Sequence, residues 1–72
     1  MKFRYREDTD SLYITLSERP SADAREVAPN VVLDFDADGD IVGIDIYQYA
    51  SRIVDLNRFE IESSFIHAPV SA

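Results

Sequence analysis

The residues of this chain best suited to chemistry are carboxylates. Asp34, Asp36 and Asp38, spaced two apart and followed by Gly39, fit the D-x-D-x-D-G opening of a calcium loop. Continuing the twelve-residue template puts the carbonyl of Asp40 at position seven and the carboxylate of Asp45 at position twelve. The spacing therefore nominates Asp34, Asp36, Asp38 and Asp45 as ligands of Ca2+, the one cofactor the residues suggest. Context argues the other way. The template needs flanking helices and a bidentate glutamate at twelve, whereas the flanks here alternate as strands and Asp45 is a methylene shorter. Two carboxylates about 4 Å apart repel by roughly 1 kcal/mol in water, enough to attract a divalent cation only loosely. Asp and Gly are also ordinary turn formers, and that reading outweighs the metal.

Other chemistry is sparser. His67 is the only histidine and there is no cysteine, so one chain can assemble neither a zinc site nor a thiol nucleophile. No serine lies in a G-x-S-x-G elbow, and neither Gly39 nor Gly43 belongs to a phosphate-binding loop. Paired carboxylates abound, yet acid–base catalysis needs a cleft for which so short a chain has little depth. The expectation is a protein that is not an enzyme. Lys2, Arg4 and Arg6 form a basic stripe that could hold an anion or RNA. With a net charge of −7 the stripe reads better as a wet strand face that opposes edge-to-edge aggregation.

The aspartates are positioned by residues 31–46, where two apolar-rich arms flank the hairpin signal Asp38-Gly39. A two-residue turn there sets Phe35 against Val42, Leu33 against Ile44 and Val31 against Ile46. A three-residue loop would slip the register by one and put Leu33 opposite Gly43, which the period of two forbids wherever one face is buried. Gly43, alone in its strand, signals a bulge or a close backbone approach. Before this hairpin, Phe3 and Tyr5 alternate with the basic stripe, and Leu12, Ile14 and Leu16 alternate with Tyr13 and Thr15. Pairing Tyr5 with Leu12 and Phe3 with Ile14 leaves residues 7–10 as the loop of a second hairpin. Residues 17–24 read as a surface connection. In residues 25–35 Pro29 demands a bulge, an edge or a break between two shorter strands. Residues 50–61 shift to helical spacing, with Ser51 and Asp55 as candidate N-caps, although Phe59 and Ile61 also suit a strand.

These elements predict a mostly β fold of the α+β class: a small antiparallel meander of two hairpins, about four strands, followed by short C-terminal helical turns. Seventy-two residues make a single domain, 1–72. Folding a chain of 8.2 kDa leaves roughly 4,500 Å² exposed from about 12,000 Å², a marginal core. Small scaffolds usually add disulfides, metal or a partner subunit. Without cysteine, a homo-oligomer or a bound ion is expected. Fourteen acidic against seven basic residues disfavour nucleic acid and favour a basic protein partner. No run reaches the ~18 apolar residues of a membrane span, and the N-terminus lacks the apolar core of a signal peptide, so a cytoplasmic protein is expected. Val32, Ile41 and Tyr47 sit among acids on the outer face of the central hairpin; with Phe59, Phe65 and Ile66 they are the candidate interface residues.

Three pieces carry a resemblance: the opening Tyr5-Arg6-Glu7-Asp8-Thr9-Asp10-Ser11-Leu12-Tyr13-Ile14, the turn Asp34-Phe35-Asp36-Ala37-Asp38-Gly39, and the strand Val42-Gly43-Ile44-Asp45-Ile46 with Ala50-Ser51 behind it. Together they resemble the small prokaryotic proteins catalogued as domain of unknown function 2283, over roughly residues 3 to 52. That family typically shows Glu at the position of Asp45 and runs more directly into Asp-Ala-Ser than this chain does through Tyr47-Gln48-Tyr49-Ala50-Ser51. The resemblance implies an antitoxin-like role, because some relatives are encoded beside small basic proteins suspected of being toxins. This is an analogy at family level.

Overall fold

The computed structural model describes residues 1–64. The candidate interface positions Phe65 and Ile66, and the single histidine, His67, lie outside the described residues. Five strands form one antiparallel sheet: β1 (Lys2–Arg6), β2 (Ser11–Thr15), β3 (Asp23–Ala28), β4 (Val31–Phe35) and β5 (Ile41–Ile46). A single helical turn, α1 (Ala50–Ile53), follows. The strand order is β1-β2-β5-β4-β3, so the first hairpin docks on the central one through β2 and β5.

The first hairpin has the expected register, Tyr5 opposite Leu12 and Phe3 opposite Ile14, around a loop at residues 7–10. The expected count of about four strands becomes five, because Pro29 does break residues 25–35 in two. Pro29 supplies a fixed φ and Asn30 takes φ 66°, the pairing of residues that suits a tight reversal, and β3 folds back on β4.

The central hairpin corrects the expected turn. Asp36 N–H donates to the Asp40 carbonyl at 2.8 Å and Gly39 N–H to the Asp36 carbonyl at 3.1 Å, so Ala37, Asp38 and Gly39 form a three-residue loop with Gly39 at φ 88°. The one-residue slip is real at its mouth, where Phe35 faces Ile41 rather than Val42. A bulge between Asp34 and Phe35 then absorbs Val42, and Leu33–Ile44 and Val31–Ile46 pair as expected. Burial of one face is the reason: without the bulge, every side chain beyond it would point the wrong way.

Alternation gives the sheet two unlike faces. Phe3, Tyr5, Leu12, Ile14, Ile44, Ile46, Leu33 and Val31 share the apolar one. Among the described residues the buried apolar side chains are Leu12, Val42, Ile46 and Ala50. Leu12, Ile46 and Ala50 form the core, with Ile14, Val31, Ile44 and Val54 half-buried around them. The core thus lies where α1 meets β2 and β5.

Helix α1 begins after two left-handed residues, Gln48 at φ 56° and Tyr49 at φ 61°. Neither expected N-cap acts as one. Ser51 lies inside the turn, and Asp55 accepts the Asn57 N–H beyond it. The cap comes instead from the loop between β1 and β2: the Asp10 carbonyl accepts the Ala50 N–H at 3.0 Å, and its carboxylate accepts the Ser51 N–H at 3.1 Å and the Ser51 hydroxyl at 2.7 Å. Asn30 Nδ2 donates to the Tyr47 carbonyl at 2.8 Å, and Ser11 Oγ accepts the Gln48 N–H at 3.1 Å, which fixes the bend from the other side.

Candidate functional site

On the apolar face, the chain after α1 stands over β1 and β2 without filling the space between. The resulting groove of about 490 Å³ has a floor of Phe3, Tyr5, Leu12 and Ile14 and a wall of Val54, Leu56 and Phe59. The Phe59 ring meets Phe3 edge-on, with centroids 5.0 Å apart. Large apolar side chains that line it remain in water: Phe3 is 45% exposed and Phe59 68%. Contiguous exposed apolar side chains of this kind are uncommon on small soluble domains. At one end, the Tyr5 phenol donates to Asp10 Oδ1 at 2.7 Å, tying the groove floor to the cap of α1. That bond and the one from Ser51 hold the Asp10 carboxyl below the usual carboxylate range.

The opposite face is polar and built around Gly43. Tyr13 on β2 lies across Gly43 of β5 and donates to Asp34 Oδ2 on β4 at 2.5 Å. A Cβ at position 43 would run into the phenol, so the lone glycine marks a close approach, by a side chain from the next strand. The carboxylate hydrogen bond, with burial and the Asp34 charge, pushes the Tyr13 phenol up to about 12. Burial, and then the charge of Asp34, raise the Asp45 carboxyl above its ordinary value.

The four proposed calcium ligands occupy different surroundings. Asp34 accepts from Tyr13, and Asp45 lies diagonally beside it on the polar face. Asp36 is buried in the loop, where its Oδ1 accepts the N–H groups of Asp38 and Asp40, both at 2.9 Å. Its Oδ2 lies 3.1 Å from Arg19 Nη1, an ion pair without hydrogen-bond alignment. Backbone donors to Asp36, the Asp40 N–H foremost, lower its pKa. Asp38 is exposed on the loop. Among the described residues no three His, Asp or Glu side chains are gathered as a metal site.

The interface candidates also separate. Val32 is half-buried on the polar face opposite Asp45 and Glu26, and the Tyr47 phenol donates to Glu26 at 2.9 Å. Ile41 is exposed beside the loop. Of the candidates, the groove takes Phe59 and joins it to Phe3, Tyr5 and Leu56, none of them an expected interface residue. The signal for Phe3 and Tyr5 was their place in the first strand of a short meander, where an edge is the default. Asp10 and Tyr13 gave no local signal, since their partners Ser51 and Asp34 stand 41 and 21 residues away.

No described helix is long and apolar enough to cross a membrane. The sequence model described as "Protein of unknown function (DUF2283)" matches residues 2–49. No curated protein and no solved structure matches the chain. The match spans all five strands and stops just short of α1 and the segment that walls the groove.

Proposed function

The chain belongs to the DUF2283 family, and from that premise we propose that it is a self-associating, protein-binding module. The observation that carries the reading is the open apolar groove over β1 and β2. A sheet with one apolar face needs a second layer, and here α1 and the following residues supply it only in part. Four buried apolar residues among those described are a slender core for 72 residues without a disulfide, so a partner that covers Phe3, Tyr5 and Phe59 would complete it. A second copy covers the apolar groove, while the outward-facing acids give the assembly its net negative field. That field suits a small basic protein, as expected of an antitoxin-like role.

Two experiments test the two halves. Sedimentation velocity across a concentration series is expected to show a monomer–dimer equilibrium that Phe3→Asp shifts to monomer; a wild-type chain that sediments as a monomer throughout removes the self-association. Co-expression with the basic product of an adjacent gene is expected to yield a complex that dissociates in high salt. Separate elution at low salt removes the basic partner.

A further inference from the structure

We propose that residues 59–62 of a second copy add to the outer edge of β1, unpaired among the described residues, as a sixth antiparallel strand, an inference that rests on the self-associating reading above. In the order β1-β2-β5-β4-β3, β1 is an outer strand, and all five of its residues are exposed. Its two sides make different demands on anything that pairs with it. Phe3 and Tyr5 project onto the apolar face beside the groove, while Lys2, Arg4 and Arg6 project onto the other. A complementary strand must therefore alternate apolar and acidic residues.

This chain contains such a stretch outside its own sheet. Phe59-Glu60-Ile61-Glu62 has the required alternation and lies in no strand of the fold. Phe59 and Ile61 are 68% and 73% exposed, the condition of apolar side chains awaiting a contact. Within its own chain, Phe59 meets Phe3 edge-on at the groove, and among the described residues β1 pairs only with β2. Laid antiparallel on a second copy, residues 59–62 set Phe59 beside Tyr5, Glu60 beside Arg4, Ile61 beside Phe3 and Glu62 beside Lys2, and the pairing stops there because Arg58 would next stand beside Arg6. Both apolar pairs fall on the groove side and both ion pairs on the polar side.

The alternative edges are blocked. Two β1 strands paired about Arg4 would set arginine against arginine. The other outer strand, β3, carries a bulge between Glu26 and Ala28 and ends at Pro29, both devices that discourage strand addition. Exchange in both directions closes a two-fold dimer in which each copy donates one strand and receives one, so neither copy keeps an unused donor segment or an unused β1 edge.

The test is charge reversal on the full chain, read as the dimer dissociation constant by sedimentation equilibrium. Glu60→Lys/Glu62→Lys is expected to weaken the dimer by roughly tenfold or more, as is Lys2→Glu/Arg4→Glu, each with the circular dichroism of the folded protein retained. All four substitutions in one chain restore the pairs with signs exchanged and are expected to restore dimerisation. Wild-type affinity in Glu60→Lys/Glu62→Lys would overturn the strand addition and leave self-association standing. Failure of the fourfold variant to recover would overturn the register. A wild-type chain that stays monomeric would remove both readings together.

Discussion

A methyl group at position 43 would occupy the space through which Tyr13 crosses β5 to reach Asp34. Gly43→Ala must push the phenol aside, and overpacking of this kind costs about 1–3 kcal/mol, read as a lower urea midpoint. The same displacement breaks the bond that keeps the phenol protonated. In the wild type, one tyrosine is expected to titrate near pH 12; in Gly43→Ala that step moves toward 10 in an alkaline absorbance titration. An unchanged step would mean that the phenol does not depend on the glycine. The lone glycine was readable as a place of close approach. What approaches was not, because Tyr13 meets Gly43 only through the pairing of β2 with β5, a neighbour relation on which no local pattern reports.

At the scale of elements, the aspartate–glycine step announced a reversal but not its length. Asp36 decides the length: by accepting from Asp38 and Asp40 it closes the loop around three residues, and Val42 becomes the bulge that returns the strands to register. The break at Pro29 allowed for β3, but its start at Asp23 was hidden in residues 17–24, which read as a surface connection; at a sheet edge, main-chain pairing with β4 suffices. Helix α1 shows the same dependence on distant groups, since its cap is Asp10. Asp10→Ala is expected to speed amide exchange at Ala50 and Ser51 while leaving β4 and β5 as they are. The pH dependence has a definite sign. The Tyr5 phenol and then the Ser51 hydroxyl lower the folded-state pKa of Asp10, so its contribution is complete above the unfolded value near 4. That contribution falls away as pH drops through the lowered folded value. Asp10→Ala should lack this part of the acid-side loss, and an identical acid profile in both proteins would contradict the cap.

At the scale of the molecule, the amphipathic sheet and the acidic balance were both apparent from residue order. Which surface is left open was not. Phe3 and Tyr5 look like ordinary core residues in an alternating strand, and only the strand order, with β1 outermost and the chain after α1 standing off it, leaves them in solvent. The proposed dimer rests on the exposed groove and on the alternating segment that follows it. An isotope-filtered NOE experiment on a one-to-one mixture of labelled and unlabelled chains tests this most directly. Contacts from Phe59 and Ile61 of one copy to Tyr5 and Phe3 of the other are the predicted result; Phe3 and Tyr5 contacts confined to a single chain at every concentration would contradict it.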